Sequence, residues 1–540
     1  MPLRSRRDLL LHWTFRLAAL LRGVLCWAFA LGALVFLRTS VSTLSNILHP
    51  SHAARGAWWR IAGTAVGLLL PVLAVVFGMA WWTVWRQKAS ARGWAIAASL
   101  ANVLFGCLEL YLMRRITSPA DVLLLAMGVI GLVVFSPRNL AAKLAEKTPV
   151  QPPIPGDGTN ALIDKMIWIF ALAGFAVGFG WWERWARAQG LAVHFGLLYF
   201  LESLVAALVI IVVHELGHAL AGKTLGMKLR AFIVGPFQWR ISDGKWEFRF
   251  LPAKIFATGG ATAVVPTTLE HFRAQQICMI AAGPFASLVG GLIAFCAALA
   301  ATNSHWEPAW LLLALIATLS LLGFIVNLIP FRTETSYSDG AQIYQLLSKG
   351  PWGDYHRALS IAGSTLVTPL RPRDFDIEAI QRAAVCITHG PQGLLLRLLA
   401  SSYYLDCGRI PEASQALAEA EGVYKESASE ISAELDTVFV FGKAFLQRDS
   451  AGARRWWERM EAKKPSRFNG DYWMARSALL WRENRLEEAQ EAWQKGYVLA
   501  QQLPKAGAYE SDRDRFALLR KALDESLSAH LAQDLPATTG

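Results

Sequence analysis

The chain has 540 residues, of which 54% are apolar and 17% charged, and its mean hydropathy is +0.33. Ordinary soluble chains carry about 25% charged residues. The composition therefore excludes a disordered, collagen-like or disulfide-scaffold protein, and several apolar runs are too long for a soluble core. A net charge of +12 comes from 53 Lys and Arg against 41 Asp and Glu. Most of the relevant basic residues flank apolar runs, so the excess reads as membrane orientation and excludes nucleic acid as the partner.

In chain order, eight apolar segments are predicted to span a lipid bilayer: Gly23–Leu37, Ile61–Trp85, Trp94–Met113, Val122–Phe135, Met166–Trp182, His194–Leu220, Ile277–Ala301 and Trp310–Ile329. A span needs about 17–25 apolar residues; the first and fourth are short, and the last three are the strongest. No cleavable signal is visible, and the first run is expected to stay as an anchor. With the N-terminus inside, the inside segments carry 20 Lys and Arg and the outside segments 7. That bias predicts a multi-pass protein of the cell membrane with both termini cytoplasmic. The cysteines Cys26, Cys107, Cys278, Cys296, Cys386 and Cys407 form no CxxC pair, and they read as small buried hydrophobes. Asn102 and Glu109, in the third span, either line a cavity or make one interhelical hydrogen bond.

The sixth span carries His214-Glu215-Leu216-Gly217-His218. Two histidines four residues apart lie on one helix face, about 6 Å apart along the axis. Both imidazoles can then reach one Zn²⁺. Glu215 sits one step round the helix, placed to serve as general base towards the attacking water. Ionisable groups inside a membrane are costly, so three of them within little more than one turn point to function. Zinc also needs a third protein ligand and one open position. His194 is about 30 Å away along the same helix and is excluded. Pro330 breaks the eighth span, and two carboxylates follow it, Glu334 and Asp339. Gly340 is expected to permit a turn after Asp339.

These residues resemble the site-2 protease family of intramembrane zinc metalloproteases (peptidase family M50). The matching positions are His214, Glu215 and His218, then Gly283-Pro284, then Asn327, Pro330 and Asp339-Gly340, over about residues 195–345. The resemblance implies an endopeptidase that cuts in or next to transmembrane segments of other membrane proteins, often releasing a regulator. It implies His214, His218 and Asp339 as ligands of Zn²⁺ and Glu215 as the base. Two positions depart from the family's pattern. Ser287 stands where asparagine is common, and several extra residues separate Asn327 from Asp339. Asn327 can hydrogen-bond a substrate carbonyl or developing oxyanion, or can satisfy backbone groups freed where the helix breaks.

Between the sixth and seventh spans, Leu229–Phe237 and Lys245–Phe250 are predicted to form a β-hairpin turning at Ser242-Asp243-Gly244. Such a hairpin either offers an edge strand to an unwound substrate or caps the membrane face. Ala261–Val265, after Gly259-Gly260, reads as a re-entrant strand.

After residue 340 charges become frequent and apolar residues recur at helical spacing. Asp406–Ala413, Arg448–Ala453 and Glu483–Ala489 look like related turns, with aligned alanines 40 and 36 residues apart. That period suits tetratricopeptide-like (TPR-like) helix–turn–helix repeats, a surface for a protein partner; a plain helical bundle is the alternative. The expected fold is mainly α: a polytopic membrane helix bundle of about eight spans, a small β-hairpin insertion and a cytoplasmic helical-repeat domain. The expected domains are an N-terminal membrane module at 1–150, a zinc protease core at 160–345 with its hairpin loop at 228–265, and the helical-repeat domain at 350–530. Two other functions fit less of the sequence: a catalytically silent membrane scaffold or sensor acting through the repeats, and a metal transporter.

Overall fold

Runs of apolar residues free of charge favour long helices once backbone groups have no water to bond. The computed structural model follows that rule. It describes residues 91–113 and 156–534, the latter with gaps at 192–196, 243–244, 252–258, 302–308, 334–335, 349, 427–432 and 464–468, and scattered positions at 72–83, 129 and 132. The expected spans Gly23–Leu37 and Val122–Phe135, apart from two positions, and much of Ile61–Trp85 lie outside the described residues, as do Cys26, the Glu109 side chain and His194. The described helices of the membrane half are α1 (Ala91–Met113), α2 (Ala161–Ala188) and α3 (Leu197–Thr224). A sheet follows, with β1 (Lys228–Val234), β2 (Phe237–Ser242), β3 (Lys245–Phe250) and β4 (Gly260–Val265), then α4 (Phe272–Ala301) and α5 (Trp310–Leu328). Among the described residues three helices are long and apolar enough to cross a membrane: Leu201–Thr224, Phe272–Ala301 and Trp310–Leu328. A fourth becomes available if α2, bent by 42° between Ile167 and Ile169, counts as one span.

Helices in lipid gain little from the hydrophobic effect and associate through close backbone approach at small residues. Gly217 on α3 shows this, since a Cβ there would stand 2.4 Å from the Ala282 carbonyl oxygen of α4. Cys278 and Cys296 are exposed on α4, and Cys386 and Cys407 are exposed further on, contrary to the expectation that the cysteines are buried. On α4 the reason is helical phase: Met279 and Ile280 turn inward, leaving Cys278 outside.

The sheet is antiparallel throughout, in the order β3-β2-β1-β4. Sequence patterning located the β2–β3 hairpin but merged β1 with the start of β2. The chain in fact turns at Gly235-Pro236, where Gly235 adopts a positive φ of 53°. The segment expected to re-enter the membrane is β4, which pairs with β1 in the register Phe232↔Thr262 and Val234↔Gly260. It forms one edge of the sheet and lies against α3, where Val264 meets Gly222.

The remaining helices are α6 (Asp339–Leu347), α7 (Pro351–Ser364), α8 (Ile377–Cys386), α9 (Gly390–Asp406), α10 (Ile410–Glu426), α11 (Ala433–Phe441), α12 (Ser450–Ala462), α13 (Gly470–Arg482), α14 (Leu486–Ala500) and α15 (Gly507–Asp534). A π-helical stretch, Gly442–Leu446, continues α11. The three related sequence stretches are turns of matching geometry. Gly408, Arg448 and Asn484 all have positive φ, at 74°, 54° and 59°. Five residues after each lies an alanine with 0% exposure, Ala413, Ala453 and Ala489. Ser401 Oγ donates to the Ala413 carbonyl at 2.8 Å, and Ser477 Oγ donates to the Ala489 carbonyl at 2.7 Å. The core of this region is aromatic, with Tyr424, Phe439, Trp456 and Phe516 all buried.

Candidate metal centre

The HExxH helix delivers three of the expected residues by its period alone. His214, Glu215 and His218 lie in the C-terminal half of α3, in an otherwise apolar run. The two Nε2 atoms face each other at 3.2 Å. The fourth residue arrives by a longer route. Helix α5 ends at Leu328 before Pro330, and Ile329 is extended. Residues 329–333 and 336–338 then lie against each other, closed by the Arg332↔Tyr337 bridge and by Ser338 N donating to the Phe331 carbonyl. Ser338 caps α6, its hydroxyl accepting from Ala341 N. Asp339 is thus the first residue of a helix, set rigidly beside the histidines.

His214 Nε2 lies 3.1 Å from Asp339 Oδ2, and His218 Nε2 lies 3.7 Å from Asp339 Oδ1. One potential donor atom from each of the three residues falls within 4.8 Å of the others. Glu334 lies outside the described residues. Gly340 was expected to supply a turn, but it sits inside α6. Its small size serves close approach instead, since a Cβ there would stand 2.1 Å from the Leu328 carbonyl oxygen.

The outer ring nitrogens settle what the inner ones can do. His218 Nδ1 is 2.9 Å from the Met279 carbonyl oxygen. A carbonyl only accepts, so that nitrogen carries the proton and the neutral ring presents a lone pair at Nε2. His214 Nδ1 is 3.0 Å from Ser287 Oγ, which can take the same role. Among the described residues, Asp339 Oδ2 is buried without a hydrogen-bond partner. With both rings in the tautomer that protonates Nδ1, lone pairs of two imidazoles and a carboxylate converge, and a cation between them relieves their repulsion. Two imidazole nitrogens and one carboxylate oxygen, with room for a further ligand, match the donor set of a catalytic zinc site. The residues present therefore fit the metal.

Glu215 is 5% exposed and points at β4. Thr262 Oγ1 donates to Glu215 Oε2 at 2.6 Å and lies 3.2 Å from the Glu215 carbonyl oxygen. A Cβ on Gly260 would fall 2.3 Å from Glu215 Oε1, and one on Gly283 would fall 2.2 Å from His218 Nε2. Glu215 and His218 thus each occupy space that a glycine leaves empty. Asn327 is half-buried in the last turn of α5.

Residues 202–305 match the family model of peptidase family M50. The match takes in the HExxH helix from Glu202, the whole sheet and α4, and it ends before Asp339. The family implies a membrane metallopeptidase, and the three long apolar helices agree with an integral membrane protein. No curated protein and no solved structure matches the chain.

Sequence reading marked Ser287 only as a departure from the family's pattern, and it gave no role to Gly260, Thr262 or the Met279 carbonyl. The signal for Thr262 was a polar residue in the apolar strand Gly-Ala-Thr-Ala-Val-Val. No pattern marks a backbone carbonyl such as that of Met279, because every residue has one.

Thr333, Asp157 and Asp164 tie down the loop that carries Asp339. Thr333 N donates to the Ser336 carbonyl at 2.8 Å, and Arg332 N donates to Asp164 Oδ1 of α2 at 2.9 Å. Asp157 is buried, accepts from Thr159 N, and stands 3.5 Å from the Tyr337 hydroxyl. The third candidate ligand is therefore held by residues about 170 positions upstream in the chain.

Proposed function

We propose that this chain is a zinc-dependent intramembrane endopeptidase that hydrolyses peptide bonds in or next to transmembrane segments of membrane proteins, in regulated proteolysis. The observation that carries this reading is the convergence of His214, His218 and the otherwise unpartnered Asp339 Oδ2, with Glu215 one helical step away. In this reading His214, His218 and Asp339 hold Zn²⁺, which when bound polarises the scissile carbonyl and acidifies water. Glu215 takes the proton from the attacking water and returns it to the leaving amine. Gly260 and Thr262 keep the Glu215 carboxylate at one position through this exchange. Met279 and Ser287 keep the ring nitrogens of His218 and His214 in the ligating tautomer. Asn327, at the break after α5, donates its amide to the substrate carbonyl. The β4 edge, beside Glu215, is the place where an unwound substrate segment adds as a strand.

The proposed architecture has about eight spans, four in an N-terminal module at 1–150 and four in the core at 160–345. Both termini and the region from 350 lie in the cytoplasm. The matched turns at Gly408, Arg448 and Asn484 support a TPR-like repeat domain that takes a protein partner. The deciding experiment compares membrane proteomes of cells carrying the native chain and Glu215→Gln, with zinc measured on both purified proteins. Substrate fragments from native cells alone, with equal zinc in the two proteins, are expected. The same fragments in both would overturn the reading.

A further inference from the structure

The strand β4 places alternate residues on opposite sides. Gly260, Thr262 and Val264 face α3: Gly260 lies under the Glu215 carboxylate, Thr262 reaches that carboxylate, and Val264 meets Gly222. Val265, on the other face, meets Gly363 of α7. The next residue, Pro266, accepts from Ser364 Oγ at 2.9 Å. Backbone pairing to β1 fixes Thr262 opposite Phe232. The strand that carries Thr262 is therefore held from three directions, by α3, α7 and β1.

A hydroxyl has one proton and two acceptors within reach. The carboxylate oxygen is 2.6 Å away and the backbone carbonyl 3.2 Å. The shorter, charge-assisted bond is the stronger, so the proton goes to Oε2. The β-branched side chain restricts rotation about χ1, which keeps the hydroxyl aimed. Glu215 Oε1 remains over the bare Cα of Gly260, without a donor of this kind among the described residues. We propose that Thr262 is a positioning residue for Glu215: it holds Oε2, fixes the carboxylate plane, and leaves Oε1 as the oxygen that takes the proton. This rests on the endopeptidase reading for its consequence in catalysis, but not for the hydrogen bond itself. Misplacing a catalytic group by about 1 Å can cost 10²-fold in rate.

The test uses the full-length protein in detergent, with Thr262→Val removing the hydroxyl at constant shape and Thr262→Ser restoring it. The rate probe is a fluorogenic peptide of a transmembrane segment found by the proteome comparison. Thr262→Val is expected to lower kcat about 10–100-fold with KM within about twofold, and Thr262→Ser to recover to within about fivefold of native. Both variants should keep native zinc content and thermal unfolding. A second measurement needs no turnover: infrared difference spectra against Glu215→Gln isolate the Glu215 carboxylate stretch. That band should shift in Thr262→Val and stay in place in Thr262→Ser. A native kcat in Thr262→Val, an equal loss in the two variants, or an unmoved band in Thr262→Val overturns the proposal. A native protein that cleaves nothing sinks the endopeptidase reading, while the infrared band still decides whether Thr262 holds Glu215.

Discussion

Asp339 in the membrane half and Asp436 in the helical half are both shielded from solvent, and the chain treats them in opposite ways. Asp436 is fully buried; Tyr424 donates its hydroxyl to one carboxylate oxygen at 2.6 Å and Lys463 Nζ meets the other at 2.5 Å. Asp339 faces two imidazoles that offer lone pairs, and one of its oxygens has no hydrogen-bond partner. The first carboxylate is neutralised by its own protein, and the second, in the proposed reading, is left for a cation from outside. The packing differs in the same sense. The helical half is built on large rings, such as Phe439 stacked on Trp456 with centroids 4.5 Å apart. The metal centre is built on absent side chains, with Gly260 and Gly283 making room for Glu215 and His218. A stability core fills its space and satisfies its charges; a reactive centre keeps polar atoms unsatisfied and holds them in place from behind.

Four perturbations can break or sharpen this contrast. The largest expected effect is that of Glu215→Gln, which should lower peptide hydrolysis by about 10²–10⁴-fold or more. Denaturant unfolding of the helical half, followed by circular dichroism, should not move. Next, Lys463→Met removes the cation from Asp436 and should destabilise the helical half by about 2–4 kcal/mol, with zinc content unchanged. A loss of zinc in that variant would erase the distinction between the two halves. Third, Gly283→Ala drives a methyl into His218 Nε2 and should weaken zinc binding by about 10–100-fold in a chelator competition titration, comparable to losing an outer-sphere partner.

The smallest effect concerns pH. Burial alone would push the Asp406 carboxyl up, but hydrogen bonds from Arg371 and Arg373 outweigh it and hold the pKa at about 2. A depressed carboxylate stabilises the fold above its unfolded pKa of about 3.9 and loses that contribution as pH falls towards 2. Asp406→Asn should therefore flatten the acid limb of an unfolding curve between about pH 4 and 2. It should cost on the order of 1 kcal/mol at neutral pH, after solvent screening. An unchanged acid limb would place the acid sensitivity elsewhere.

The HExxH pair was legible because it depends only on helical period: once Leu204–Leu220 is a helix, His214 and His218 must share a face. The apolar runs behind α3, α4 and α5, and the repeated turns at Gly408, Arg448 and Asn484, were legible for the same reason, since each is a local property of the chain. The β1–β2 turn at Gly235-Pro236 was not legible, because the apolar run continues through it. The Cys278 exposure was also hidden, as hydrophobicity does not say which face of a spanning helix meets a neighbour.

Local sequence thus determined the helices, the zinc-type His-Glu-His triplet and the change of character near residue 340, because period and composition act within a few residues. Only the tertiary structure decided that Asp339 returns to the histidines, that Met279 and Ser287 orient their rings, and that Thr262 meets Glu215. Those pairings join residues 47 to 125 positions apart. They are set by how α3, α4, α5 and β4 pack, and no pattern within one segment carries that information.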